Sequence, residues 1–212
     1  MIVYGSSMSP FVRKVLVFAG EKGVEVEHKV IGLRSTDAEF LSTSPFGRMP
    51  GFRDGDFAIS DSSAIVTYLE AKFPEPSLIP VGPAERARTI WFDEFADTLL
   101  FGCAVKIFFN RIVAPRFLGE TGDLDVAARA EAEELPALLD YLETQIPASG
   151  YLVEDRLTLA DIAVANPLAN LEHCGTDVGD RPLLRAYVDA ILKRPSFAKW
   201  LGGERAYLAR NG

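Results

Sequence analysis

The stretch MIVYGSSMSPFVRKVLVFAGEKGVEVEHKVI, residues 1–31, decides the fold. A short β-rich run ends at Gly5, and Pro10 opens a segment in which Phe11, Val12, Val15, Leu16, Phe18 and Ala19 recur at helical spacing. Gly23 suits the left-handed conformation that closes a helix, so this one should stop at Glu21-Lys22-Gly23. Residues 24–31 then alternate apolar and charged side chains, as a half-buried strand does. The opening unit is therefore β-α-β.

Residues 33–49 are turn-rich, with a short helix expected around 37–43. Gly51-Phe52-Arg53 and Phe57-Ala58-Ile59-Ser60 are brief apolar runs around Asp54-Gly55-Asp56, whose Asp-Gly pair reads as a hairpin turn. Asp61-Ser62 precedes a strongly helical segment to Phe73, and prolines at 74, 76, 80 and 83 then interrupt the pattern. A domain boundary falls there. Beyond it the pattern is helical throughout: 85–112, 125–145, a helix headed by Thr158-Leu159-Ala160-Asp161, then 182–193 and 196–209. Thr158 and Asp161 have the form of a capping box, in which the threonine accepts from free backbone N–H groups and contributes about 1 kcal/mol.

At 212 residues and 48% apolar, the chain can bury a core in one large domain or two small ones. Its net charge of −8 would repel a phosphate polymer or an anionic bilayer, which argues against nucleic acid and membrane partners. The start has no basic run followed by a long apolar stretch, and no window reads as approaching the roughly 20 apolar residues that span a bilayer, so a cytoplasmic protein is expected. Cys103 and Cys174 stand alone and read as buried free thiols. His28 and His173 are equally isolated, so no metal is assigned, and with neither near a recognisable Ser or Cys motif a serine- or cysteine-hydrolase triad has little to stand on.

Within this layout four segments resemble motifs of the glutathione transferase superfamily. Ser9-Pro10-Phe11-Val12-Arg13-Lys14-Val15 resembles the Ser-Pro-Phe opening of its serine-type, cytosolic, bacterial-like members, closest to tau-, zeta- and theta-like classes. Ser44-Pro45-Phe46-Gly47-Arg48-Met49-Pro50 is similar to the stretch leading to the family's cis-proline, and Asp61-Ser62 stands where the family has Glu-Ser or Asp-Ser. The capping segment at Thr158 is the fourth, so the resemblance covers essentially the whole chain. It implies an α/β plus all-α architecture: a thioredoxin-like, glutathione-binding domain over 1–78 and an all-helical, substrate-binding bundle over 84–212. It also implies a homodimer.

Ser9 reads first as the helix N-cap, its hydroxyl accepting from the helix; the resemblance adds donation to the thiolate of glutathione. A thiol near pKa 8.5 is only a few per cent ionised at neutral pH, and lowering it by about two units takes roughly 2.7 kcal/mol. A charge-assisted hydrogen bond at a helix terminus can supply that. Classes differ in where the active serine lies, so Ser9 ranks first, Ser6 second and Ser7 third; Met8, at the theta- and delta-like position, cannot donate. By the same resemblance Met49, before a cis Pro50, would pair its backbone with the cysteinyl part of glutathione, flanked by Arg48, which reads equally well as a solvated surface residue. Asp61 and Ser62 read locally as caps; in the family they hold the ammonium and carboxylate of the γ-glutamyl end. Phe11, Phe108 and Arg111 are the substrate-pocket candidates, in a pocket expected between the first loop and the long helix after the linker.

The function expected is conjugation of glutathione to a small apolar electrophile, in detoxification. A glutathione-dependent isomerase or peroxidase is the alternative within the fold, although Ser-Met-Ser-Pro-Phe replaces the Ser-Cys-Ser-Trp of a zeta-like isomerase. The alternative of another class is a glutathione-binding carrier or scaffold without turnover, for which Met8 is the best argument. A thiol transferase would want a cysteine near the first helix, and the sequence has none there.

Overall fold

The computed structural model describes residues 1–210. The chain divides into two compact units, Met1–Ile79 and a second beginning at Pro80.

The first unit is a four-stranded mixed sheet with helices: β1 (Ile2–Tyr4), α1 (Pro10–Glu21), β2 (Glu27–Lys29), α2 (Ala38–Thr43), β3 (Gly51–Asp54), β4 (Phe57–Ser60) and α3 (Ser62–Lys72). The strand order is β2-β1-β3-β4, with β1 parallel to β2 and the other two pairs antiparallel. The parallel pair needs a crossover, and α1 supplies it. α1 runs through Val12, Val15, Leu16, Phe18 and Ala19, all buried, and it closes as expected: Gly23 is left-handed at φ 66, with Val24 N donating to Ala19 O at 2.9 Å. Gly55, at φ 58, turns the β3–β4 hairpin. β2 is shorter than the alternation over 24–31 suggested. As an edge strand it pairs only with the three residues of β1, from Ile2↔Glu27 to Tyr4↔Lys29.

The second unit is all helical: α4 (Pro83–Leu118), α5 (residues 124–145), α6 (Leu159–His173), α7 (Pro182–Leu192) and α8 (Pro195–Arg210). α6 is its centre, buried from Leu159 to Leu171 and packed against α4 and α7. The expectation that no window approaches a bilayer-spanning length is corrected here. α4 is one 36-residue helix containing an 18-residue window of mean hydropathy 1.4, of which 39% is buried in the chain. Lys106 and Arg111 interrupt the apolar run, which hid it from a search for an unbroken one. Both are paired, Lys106 with Glu134 at 2.7 Å and Arg111 with Glu131.

Candidate active site

The sheet register gathers the sequence-selected residues of the first unit. Tyr4 pairs with Gly51, and Gly51 pairs with Ser60. The residues just beyond this row, Gly5 to Ser9 after β1, Met49 and Pro50 before β3, and Asp61 and Ser62 after β4, therefore emerge at one end of three adjacent strands. Neighbouring strands lie about 4.8 Å apart, so the three exits span about 10 Å, the scale of an extended tripeptide.

Gly5 makes the first corner possible. Its φ is 140, and a Cβ there would lie 2.5 Å from Val12 Cγ2 and 2.9 Å from Met49 Cβ, so only glycine fits. The following loop is held by its backbone: Ser9 N donates to Ser6 O at 2.9 Å, Met8 N to Ser6 Oγ at 3.3 Å, and Ser6 N to Met49 Sδ at 3.5 Å. Met8 is buried, whereas Ser6, Ser7 and Ser9 remain partly open.

The cap expected of the Ser9 hydroxyl is not made. Ser9 occupies the N-cap with extended backbone, φ −72 and ψ 124, yet its side chain makes no cap hydrogen bond. Pro10 at the first helical position has no N–H to satisfy, and the first turn is secured through the backbone, Arg13 N to Ser9 O at 3.0 Å. The hydroxyl is thus not committed to the helix.

The second corner is a tight turn. Ser44 Oγ donates to Arg48 O at 2.5 Å and accepts from Arg48 N at 3.1 Å, and Gly47 is left-handed at φ 64. The Met49–Pro50 peptide bond is cis. The Arg48 side chain is exposed, Met49 is half-buried and Pro50 is buried.

The third corner combines two costly features. Asp61 has φ 81, which disfavours an L side chain by about 1–3 kcal/mol, and its carboxylate caps α3 by accepting from Ala64 N at 3.0 Å. Ser62 is 2% exposed, and its Oγ has no hydrogen-bond partner. A buried hydroxyl left in that state costs about 1–3 kcal/mol. Asp61 alone would suffice to cap α3, so helix capping accounts for neither the strain nor the orphan. Beside them Lys14, 1% exposed, donates from Nζ to Ser63 Oγ at 3.1 Å.

Phe11 is half-buried in α1. Phe108 and Arg111 belong to the second unit, where Phe108 is buried and Arg111 is engaged by Glu131 and by Thr176 Oγ1 at 3.2 Å. Thr176 in turn donates to Glu131 at 2.6 Å, and these bonds hold the Glu131 carboxyl below its ordinary range, that of Arg111 first. Burial pushes the Cys103 thiol up to about 11 and Cys174 up to about 12, so both stay protonated at neutral pH and are poor nucleophiles. Sequence reasoning passed over Gly5, Arg13 and Lys14. Two adjacent cations inside the apolar run 11–19 were the available signal.

Residues 3–77 match the family model for the glutathione S-transferase N-terminal domain, and residues 115–204 match that for its C-terminal domain. The chain is 31% identical over 209 residues to a glutathione S-transferase of Hyoscyamus muticus, covering 94% of this chain and 96% of the relative. Among solved structures, glutathione transferase F7 from Populus trichocarpa superposes with TM-score 0.84 at 27% identity, covering 95% of this chain and 98% of that one. Glutathione S-transferase-I bound with lactoylglutathione superposes with TM-score 0.84 at 26% identity, covering 95% and 98%.

Proposed function

The chain belongs to the glutathione S-transferase family and is a transferase, and from that premise we propose that it binds glutathione across the three corners and conjugates its sulfur to a small apolar electrophile. The observation that carries this reading is the orphaned, buried Ser62 Oγ at the head of α3, beside the strained Asp61. The γ-glutamyl carboxylate would accept from Ser62 and the α3 N-terminus, and Asp61 would meet the neighbouring ammonium group. The Met49 backbone would pair with the extended cysteinyl unit, with Arg48 at its flank.

Ser9 is assigned the sulfur, ahead of Ser6 and Ser7. The support is that its hydroxyl is released from capping and stands at the positive end of α1. The thiol loses its proton to water. The thiolate, held by the Ser9 O–H, then attacks the electrophilic carbon, forming a C–S bond as the leaving group departs with its electron pair, or as an adjacent atom takes up charge and later a proton. Phe108 of the helical unit is assigned apolar contact with the electrophile. Residues 1–78 would bind glutathione, and residues 84–212 the second substrate. The chain would act as a cytoplasmic homodimer in detoxification, as its family resemblance implies.

Thiolate absorbance across pH, recorded with bound glutathione, tests the assignment. A bound thiol titrating about two units below its free value, and returning toward it in Ser9→Ala, is the expected result. Binding with no shift would make this a carrier. Failure to bind glutathione at all would remove the proposal.

A further inference from the structure

We propose that a recess in the helical unit is a second ligand site, separate from the glutathione corners, and that it takes a small arylalkyl group carrying an ammonium. The recess has a volume of about 200 Å³. Its floor is formed by Leu135 and Leu139 of α5 and by Leu168 and Leu171 of α6, each at most 3% exposed, and Val178 and Val188 are half-buried in its walls. An apolar cavity of about 150 Å³ is enough to hold benzene, so this one has room for a six-membered ring and a short substituent. Packed interiors rarely leave a void larger than a water molecule, so something must hold the recess open. The loop between α6 and α7 does so. Thr176 donates to Glu131 at 2.6 Å and accepts from Arg111 at 3.2 Å. Asp177 accepts from both Nη atoms of Arg185, at 2.8 and 3.0 Å, and Val178 O accepts from Arg181 at 2.8 Å. A loop pinned at three successive residues does not settle onto the leucines.

The mouth selects the charge of the occupant. Glu172, Asp177, Arg185 and Asp189 line it and are exposed. Asp177 and Arg185 satisfy each other through their two-pronged pair and add little net charge. Glu172 is paired with Arg205 at 2.7 Å and Asp189 with Lys193 at 3.4 Å, and neither of those cations lines the recess. Exposed pairs of this kind are held weakly, so both carboxylates remain open to a ligand, Asp189 the more so for its longer contact. The recess thus sets an apolar floor beneath two carboxylates that no cation of its own lining balances. A ring on the leucines with an ammonium on a short tether matches both halves, whereas a carboxylate in the same place meets like charge.

The test titrates the full chain with 2-phenylethylamine, 2-phenylethanol and phenylacetate, followed by ligand-observed NMR with and without saturating S-hexylglutathione. The amine is expected to bind with Kd below about 1 mM, roughly tenfold more tightly than phenylacetate, with the alcohol between them and S-hexylglutathione without effect. Val188→Trp, which fills the recess from its half-buried wall, should abolish binding of the amine and leave glutathione affinity unchanged. Asp189→Asn changes an exposed side chain, so it keeps the test decisive if the tryptophan variant does not fold. It should weaken the amine about threefold and leave the alcohol unmoved. Amine binding that survives Val188→Trp, or that S-hexylglutathione displaces, lies elsewhere and overturns the proposal. Absence of binding overturns it too, as does a carboxylate held as tightly as the amine. None of the recess residues belongs to the three corners, so a protein that failed to bind glutathione would sink that reading and leave this one standing on the amine titration.

Discussion

Two helices begin with an acidic residue close to a hydroxyl, and they use the pair in opposite ways. At the head of α6, Thr158 and Asp161 are completely buried and mutually satisfied: Asp161 accepts from Thr158 N and Leu152 N, each at 2.9 Å, and from the Thr158 hydroxyl at 3.2 Å. At the head of α3, Asp61 is strained and exposed, and the buried Ser62 hydroxyl has no partner. The first is a closed account of hydrogen bonds that stabilises the fold. The second is open, and an open polar site kept in a folded protein points to a partner outside the chain.

Truncating the closed cap should have the largest effect. Asp161→Ala leaves the Leu152 and Thr158 N–H groups buried and unpaired, which predicts a loss of about 3 kcal/mol in urea unfolding, with glutathione affinity of the remaining folded protein unchanged. An Asp161→Ala protein as stable as wild type would mean that water satisfies these groups and that the two caps differ less than their geometry indicates.

A second effect comes from protonation. Burial, the main cause, pushes the Asp161 carboxyl up to about 6, while the bonds from Leu152 and Thr158 pull it the other way. A folded-state pKa above the ordinary 3.8 means that the folded chain holds this proton more tightly than the unfolded chain does. The group's stabilising contribution is therefore full below about pH 4, is lost as pH rises towards about 6, and is flat above that. Asp161→Asn cannot titrate, so the difference in stability between wild type and this variant should shift over that window. An unchanging difference from pH 4 to 7 would show that the hydrogen bonds outweigh burial.

The closed cap was legible in the sequence, because a capping box is a local pattern whose residues satisfy one another. α1 was legible for the same reason: periodicity, Pro10 and Gly23 lie within one helix. The open corner was not. That Asp61 caps α3 alone, and that Ser62 is sealed without a partner, depend on where β4 exits the sheet, which no local pattern encodes. The strand register that aligns Tyr4, Gly51 and Ser60 is likewise a long-range fact. The end of α4 shows the reverse difficulty. A helix expected over 85–112 runs on to Leu118, because a π-helical segment from Phe109 accommodates Pro115, whose lack of an N–H would end a regular helix. The burial of Arg13 and Lys14 was not legible either, since it is set by tertiary packing.

The comparison is sharpest at Ser62, where the expected change is the smallest and its sign the most informative. Removing a hydroxyl from a satisfied cap costs stability, whereas removing an orphaned one relieves a penalty. Ser62→Ala should therefore leave the ligand-free protein as stable as wild type, or more stable by up to about 1 kcal/mol. Its affinity for glutathione should fall about tenfold, equivalent to about 1.4 kcal/mol of binding, because a ligand carboxylate loses its donor. Opposite signs in the two measurements belong only to a side chain held in readiness for a ligand. A variant less stable than wild type by 1 kcal/mol, with unaltered glutathione binding, would make α3 a second structural cap and remove the distinction between the two helix heads.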